Sequence, residues 1–317
     1  MGESARKVGE KLEGFGEILY QKFGWEELLR DKEIKCNKSA HKNSNGNQNR
    51  THGIDLYHKY KDPYRERNIG IITECKNYAW SSINTCNMQK WLDQLIKTIE
   101  CAQVSEEIRE QNKKCDITNT GVLLVHANDG NYKDKEFRDY LTALKYKTKK
   151  NNILNIFIAS NYEIERWDSM YEYLDKNIKQ DDNFNFYYPS VMGSELTLEK
   201  HITLDQLFSD FIFIDNETTR VEEDEYGEKS NKKIKQSIVI SFDKVTSNAI
   251  EYLCDMFKEL QLERPGREYV FCFYPETIKD VEIIEDKFKP YIRERFKKKR
   301  IKVVRLRNKN LSPVDFR

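Results

Sequence analysis

Apolar residues recur every three or four positions at the start of the chain. The recurring positions are Val8, Leu12, Phe15, Leu19 and Phe23. This spacing predicts one amphipathic helix, which ends at Gly24 because glycine commonly terminates helices. Residues 36–52 are rich in Asn, Ser, Lys and His, and this composition predicts a polar loop.

The pattern then changes from helical to extended. Residues 53–60 and 69–76 read as two strands joined across 61–68, which predicts a hairpin. Helices and strands alternate after it: helix 88–104, strand 120–126, helix 136–144, strand 153–159, helix 162–178 and strand 184–188. Strands that alternate with helices after an initial hairpin predict an α/β fold with a mixed sheet and helices on both faces.

A second alternating pattern begins near Leu196. It contains a polar stretch at 215–235, interpreted as an exposed loop or a long hairpin, and then strand 237–242, helix 245–262, strand 269–274, helix 278–298 and strand 301–306. A βαβαβ unit of this kind predicts a small parallel sheet. We therefore expect two domains, residues 1–195 and a smaller α/β domain at 196–317.

Composition limits the class of protein. The chain has 317 residues, of which 38% are hydrophobic and 34% are charged. No apolar run approaches the roughly 18 to 20 residues that span a bilayer, and no apolar segment follows Met1. A cytoplasmic protein without a membrane partner is expected.

Charge is distributed unevenly along the chain. The net charge is +1, but residues 289–317 contain twelve Lys or Arg and two acidic residues. Such an excess predicts an anionic partner. Helical spacing would place Arg293, Lys297 and Arg300 on one face, so these three are candidate phosphate contacts. A solvated helix face is the alternative.

The seven cysteines are odd in number, and none forms a Cys-x-x-Cys pair. Cys36, His41, His52 and His58 lie near one another in the chain, but their irregular spacing does not match a zinc motif. The cysteines are interpreted as reduced, mostly buried thiols.

Carboxylates fall at defined places in the predicted hairpin. Asp55 lies in its first strand, and Glu74 and Lys76 lie at the end of its second. Because side chains alternate along a strand, Glu74 and Lys76 are expected on one face. Mg²⁺ prefers oxygen ligands and commonly takes one or two carboxylates. We predict a metal site formed by Asp55, Glu74 and the Cys75 carbonyl, with Lys76 beside an attacking water.

Glu-x-Lys triplets also arise by chance in so charged a chain. Two further instances are Glu33-Ile34-Lys35 and Glu285-Asp286-Lys287. The triplet at Glu74 differs from them because the apolar run Ile69-Gly70-Ile71-Ile72 leads directly into it. Its charges are therefore expected at the end of a core strand.

These residues give the chain a family resemblance. An acidic first helix, Gly53-Ile54-Asp55, and Glu74-Cys75-Lys76 followed by a helix resemble the PD-(D/E)xK nuclease superfamily, which has the restriction-endonuclease-like fold. The resemblance covers about residues 8–160, and the layout is similar to that of the Mrr-like and Holliday-junction-resolvase-like branches and of nucleases found in bacterial antiviral systems. Ile54 stands where many members have Pro. The resemblance implies Mg²⁺-dependent phosphodiester hydrolysis, with Mn²⁺ as a substitute, usually on DNA.

The resemblance also implies a glutamate on the first helix. Glu13 matches the usual distance from Gly24, and Glu17 follows a glycine that permits close packing, so both remain candidates for the site. Gln94 or Lys97, on the helix after the second strand, is a candidate for contact with the scissile phosphate or the water. An ordinary exposed helix position is the alternative for both.

The expected function is thus a metal-dependent nuclease acting on DNA, with RNA not excluded, in bacterial antiviral defence or restriction. A catalytically idle subunit that keeps the nuclease fold and binds nucleic acid or a partner is the alternative. A homodimer, or a complex with a regulatory subunit, is expected because cutting both strands of a duplex usually requires two sites.

Overall fold

The chain forms two compact units in a computed structural model. The structure describes residues 3–43, 46–146, 152–178, 183–190, 197–223, 226–260, 262, 264, 266–295, 300–307 and 311. The contacts divide the chain between Glu165 and Arg166, earlier than the boundary expected at residue 195. The division is earlier because the strand predicted at 184–188 pairs with the sheet of the second unit.

The first unit is built around a five-stranded mixed sheet. Its elements are α1 (Glu3–Lys22), β1 (Glu26–Lys35), β2 (Thr51–Asp62), β3 (Arg67–Tyr78), α2 (Thr85–Ala102), α3 (Arg109–Asn112), β4 (Ile117–Ala127), α4 (Asp134–Ala143), β5 (Asn155–Ala159) and α5 (Asn161–Asn177), which crosses the division. The strand order is β1-β2-β3-β4-β5. Strands β1 to β3 are antiparallel, and β3 to β5 are parallel. This arrangement confirms the predicted mixed α/β fold and leaves β3 at the centre.

Helices cover both faces of this sheet. Helix α1 packs on one face, where the Tyr20 hydroxyl lies 3.0 Å from Thr73 Oγ1. Gly16 allows that approach, because a Cβ atom there would lie 3.2 Å from a methyl of Leu56. Helix α2 covers the other face so closely that a Cβ at Gly121 would lie 2.5 Å from Ile99 Cδ1. Strand β3 is therefore buried from both sides.

Strand β1 and the segment after it differ from expectation. Between the predicted first helix and the predicted polar loop, Glu26–Lys35 forms an edge strand with mostly exposed side chains. Charged residues are common on edge strands because they oppose pairing with other molecules. The polar segment after β1 continues as a hairpin, since the Cys36 amide donates to the Arg50 carbonyl at 2.9 Å and Lys42 pairs with Gln48.

The second unit contains a six-stranded mixed sheet. Its elements are β6 (Asn183–Tyr188), β7 (Thr197–Glu199), α6 (Leu204–Leu207), β8 (Phe211–Glu223), β9 (Lys229–Ser241), α7 (Ser247–Glu259), β10 (Arg267–Phe273), α8 (Ile278–Ile283), a π-helical turn (Ile284–Phe288), α9 (Lys289–Arg295) and β11 (Ile301–Arg305). The strand order is β11-β10-β9-β8-β6-β7. Strands β9, β10 and β11 are parallel, as the βαβαβ pattern predicts.

The rest of the second sheet is antiparallel, so it is larger than the small parallel sheet expected. Strands β8 and β9 form a long hairpin, which decides between the two interpretations of the polar stretch at 215–235. None of the described helices is long and apolar enough to cross a bilayer. None of the seven cysteines, all of which the structure describes, forms a disulfide.

Candidate active site

Asp55 is fixed where β2 and β3 separate. The register of the two strands runs from the Asp62–Arg67 pair to the Leu56–Thr73 pair. One residue beyond Leu56, the Asp55 carboxylate oxygen Oδ2 accepts a hydrogen bond of 2.7 Å from the backbone amide of Cys75. This bond ties the Asp55 carboxylate to the end of β3.

Glu74 and Lys76 project from one face of β3 and form a buried ion pair. Lys76 Nζ donates to Glu74 Oε1, and the Gln94 side-chain amide on α2 donates to the same oxygen at 2.9 Å. The Glu74 side chain is only 3% exposed. Among the described residues, these contacts both fall on Oε1, which leaves Oε2 for a further ligand.

The carboxylates of the site hold protons more tightly than ordinary carboxylates. Burial raises the pKa of Glu74 to about 7, opposed by Lys76 and reinforced by Asp55. Burial also raises the pKa of Asp55, although the hydrogen bond from the Cys75 amide opposes it. For Lys76, burial disfavours the charge, but the Glu74 carboxylate outweighs it and raises the pKa. Lys76 is thus a persistent cation and is poorly suited to act as a base.

Glu13 and Glu17 lie in different environments. Burial raises the pKa of Glu13 to about 7, and Asp55 adds to the shift while Lys76 opposes it, so Glu13 belongs to the same electrostatic group. One helical turn along α1, the Glu17 carboxylate pairs instead with Arg30 on β1. The structure therefore brings Glu13, and not Glu17, to Asp55 and Lys76.

The other two Glu-x-Lys triplets lie in different settings. Glu33 and Lys35 are both exposed on the edge strand β1. Glu285 and Lys287 lie in the π-helical turn of the second unit. Of the three triplets, the one at Glu74 lies on the buried central strand, as predicted from the apolar run that precedes it.

The donor set of the site fits a hard divalent cation. Three carboxylates, from Glu13, Asp55 and Glu74, share the site with the Lys76 ammonium group. Beyond the effect of burial, Asp55 raises the pKa of both glutamates, and Glu13 raises the pKa of Glu74. Oxygen donors of this type are those that Mg²⁺ takes in proteins. A divalent cation would relieve the repulsion among the three carboxylates, and Glu74 Oε2 is free of hydrogen bonds from the described residues.

The basic residues predicted to contact nucleic acid lie in the second unit or outside the described residues. Arg293 is exposed on α9. Arg300 lies 3.3 Å from Glu268 and 3.6 Å from Glu222. Carboxylates therefore partly neutralise its charge. Lys297 lies outside the described residues.

Sequence reasoning missed one cluster of side chains. Cys36, His41 and His52 meet Cys101, which lies at the end of α2. His58 does not join them, since its ring packs edge-on against Tyr20 with centroids 5.0 Å apart. The irregular spacing hid the cluster because its fourth member is distant in sequence.

A known protein family matches the first half of the chain. Residues 1–163 match the family described as the GAPS4 protein PD-(D/E)XK nuclease domain. No curated protein and no solved structure is significantly similar to the chain. The matched region covers half of the chain and includes α1, β2, β3 and α2, on which the site is built. The chain therefore belongs to the GAPS4 nuclease-domain family of the PD-(D/E)xK nuclease superfamily.

Proposed function

We propose that this protein is a metal-dependent nuclease that hydrolyses phosphodiester bonds in DNA, with RNA as the alternative substrate. The observation that carries the proposal is the position of Glu74. It is a buried carboxylate at the end of the central strand, paired with Lys76 and grouped with Asp55 and Glu13. A buried group of like charges is costly unless a cation is bound, and such groups cluster at functional sites.

Mg²⁺, with Mn²⁺ as a substitute, is the proposed cofactor. Asp55, Glu74 and the Cys75 carbonyl would hold it, and Glu13 would complete the acidic set. When bound, Mg²⁺ supplies charge neutralisation at the phosphate and lowers the pKa of a water molecule. The residues of the chain fix its ligands in advance, because the Cys75 amide holds Asp55 and Gln94 holds Glu74.

Lys76 has an electrostatic role in this proposal. Its neighbours raise its pKa, so it remains an ammonium group. A fixed positive charge beside the scissile phosphate stabilises the negative charge that develops in the transition state. Glu13 and Glu74, whose pKa values lie near 7 without the ion, exchange protons near neutral pH, so protons compete with the metal for these two carboxylates.

The proposed setting is bacterial antiviral defence or restriction in the cytoplasm, by analogy with the superfamily. A homodimer, or a complex with a regulatory subunit, would supply two sites for duplex cleavage. Phosphate contacts by Arg293, Lys297 and Arg300 remain part of the proposal. Their joint charge reversal is expected to weaken DNA binding and reduce its dependence on salt.

The proposal is tested with the purified full chain. Supercoiled DNA, linear DNA and RNA are incubated with Mg²⁺, with Mn²⁺ and with EDTA. Cleavage is expected with either metal and not with EDTA. Glu74→Ala and Lys76→Ala are each expected to abolish it.

The chain offers a matched control for these variants. Glu33→Ala and Lys35→Ala remove the same side chains from a triplet on the exposed edge strand and should leave cleavage unchanged. Cleavage that persists in Glu74→Ala or Lys76→Ala would refute the site. Absence of cleavage of every substrate by the wild-type chain would favour the idle, binding-only alternative.

A further inference from the structure

Four side chains that can bind a metal converge beside α2. Cys36 follows β1, His41 lies in the hairpin after it, His52 lies on β2 and Cys101 lies at the end of α2. One sulfur or nitrogen atom from each lies within 4.8 Å of all the others. Three of the four residues are buried and Cys36 is partly buried, so the cluster is largely closed to solvent.

Four of the six separations match the edges of a tetrahedron around a single ion, and the other two lie within 4.8 Å. The two sulfurs lie 3.9 Å apart, His41 Nδ1 lies 3.6 Å from Cys36 Sγ and 3.3 Å from Cys101 Sγ, and it lies 3.4 Å from His52 Nε2. Tetrahedral zinc with ordinary bond lengths places two sulfurs about 3.8 Å apart, sulfur and nitrogen about 3.5 Å, and two nitrogens about 3.3 Å.

Hydrogen bonding alone does not explain this arrangement. His41 Nδ1 faces two sulfurs and one nitrogen within 3.6 Å. One ring nitrogen has either a single proton or a single lone pair, so it satisfies one of these three neighbours. A central cation that accepts a lone pair from each of the four atoms satisfies them all.

The other nitrogen of His41 is oriented by a carboxylate. His41 Nε2 lies 2.9 Å from Glu100 Oε2, and Lys38 Nζ lies 3.2 Å from the same oxygen. A proton on Nε2 that donates to Glu100 leaves the lone pair of Nδ1 directed at the cluster. Carboxylates commonly orient metal-binding histidines in this way. Glu100 is only 2% exposed, and Lys38 supplies a compensating positive charge.

We propose that Cys36, His41, His52 and Cys101 bind one structural Zn²⁺ ion. Two thiolates and two neutral imidazoles balance the charge of the ion and fill all four positions, so the site is closed and not catalytic. The proposal does not depend on the nuclease activity, because none of these residues belongs to the Glu74 site.

The ion would attach the hairpin at 36–50 to α2. Cys36 and His41 are contributed by the hairpin, and Cys101 is contributed by the helix that also carries Gln94. Zinc would thus fix the position of α2 against the sheet, as metal sites that join distant segments do.

Metal content of the untagged full chain tests the proposal. The protein is expressed with added zinc, desalted, and measured by plasma mass spectrometry. One zinc per chain is expected in the wild type, and none in Cys36→Ser or Cys101→Ser. Cys86→Ser is the matched control, because Cys86 is an exposed cysteine on the same helix, and it should retain one zinc.

A second measurement uses the wild-type protein alone, so it does not require that the cysteine variants fold. Wild-type protein reconstituted with Co²⁺ should show the strong visible absorption of a tetrahedral site with thiolate ligands.

Glu100→Gln should weaken zinc binding about 10- to 100-fold, as loss of an orienting carboxylate does elsewhere. Glu74→Gln should retain one zinc, since it alters only the other site.

Three results would overturn the proposal. The first is a zinc-free wild-type protein that also lacks the tetrahedral cobalt spectrum. The second is zinc that remains in both Cys36→Ser and Cys101→Ser. The third is a disulfide between Cys36 and Cys101 in protein purified under reducing conditions, detected as a loss of two hydrogens by intact-mass spectrometry.

Discussion

Lowering the pH should weaken Mg²⁺ binding to the Glu74 site steeply. Carboxylates bind Mg²⁺ in the ionised form, so protons compete with the metal wherever a ligand titrates. The pKa of Glu74 is raised to about 7, chiefly by burial. The pKa of Glu13 is raised to about 7 as well, by burial and then by Asp55. Both groups are therefore mainly ionised at pH 8 and mainly protonated at pH 6.

The size of the effect follows from the two pKa values. A carboxyl group with a pKa of about 7 is about 90% ionised at pH 8 and about 10% ionised at pH 6, roughly a tenfold change. Glu74 and Glu13 together give about a 100-fold loss of apparent affinity between these pH values. The pKa of Asp55 is raised as well, mainly by burial, and contributes in the same direction.

Thermal unfolding without nucleic acid measures this affinity. The Mg²⁺ concentration that produces half of the maximal increase in Tm is determined at pH 6 and at pH 8, each relative to Mg²⁺-free protein. Glu13→Gln should reduce the ratio of the two concentrations to about tenfold, because one of the two titrating ligands is lost. Glu17→Gln is the matched control and should leave the ratio near 100-fold, since Glu17 pairs with Arg30.

Two results would refute this reasoning. Equal Mg²⁺ midpoints at pH 6 and pH 8 in the wild type would show that the raised carboxyl groups are not ligands. A ratio reduced by Glu17→Gln and unchanged by Glu13→Gln would show that the other helix glutamate belongs to the site.

Three further predictions concern catalysis and stability. Lys76→Met should abolish plasmid cleavage and keep the Mg²⁺-dependent rise in Tm, because Lys76 supplies charge and is not a ligand; loss of both would assign it a role in metal binding. Without Mg²⁺, the protein should lose stability as pH rises from 5 to 8. Burial raises the pKa of Glu74 from its ordinary value of 4.5 to about 7, so between these pH values the folded state keeps a proton that the unfolded state has lost. The resulting loss of unfolding free energy is about 3 kcal/mol, measured by urea unfolding. A stability that rises with pH over this range would contradict the burial of Glu74. Gly121→Ala should cost about 1–3 kcal/mol by the same method, because its Cβ would lie 2.5 Å from Ile99 Cδ1, whereas Gly53→Ala, with no atom within 4 Å, should show no such overpacking.

The local spacing of apolar residues was sufficient to predict the helices and strands that bury one regular face. The stripe that predicts α1 includes Leu12, Leu19 and Phe23, each at most 1% exposed in the structure. The apolar run before Glu74 predicts a core strand, and β3 is the central strand of its sheet. Both predictions succeed because helical and strand periodicities are set by the backbone and are read over a few residues.

Local pattern failed where a residue's surroundings come from distant segments. Strand β1 is a charged edge strand, so its side chains show little of the alternation that a half-buried strand displays. The strand at 184–188 was expected with the first unit, but its partner is β8 of the second. The tertiary fold determines which strands pair, and the sequence of a single strand does not specify its partner.

The sequence by itself therefore determined that Glu74 and Lys76 share one face of a buried strand near Asp55. The tertiary structure alone decided that Glu13 joins them while Glu17 pairs with Arg30, and that Cys101 meets Cys36. The physical reason is that periodicity specifies which face of an element is buried. Which charges and ligands meet across elements depends on how helices and strands pack, and those contacts join residues far apart in the chain.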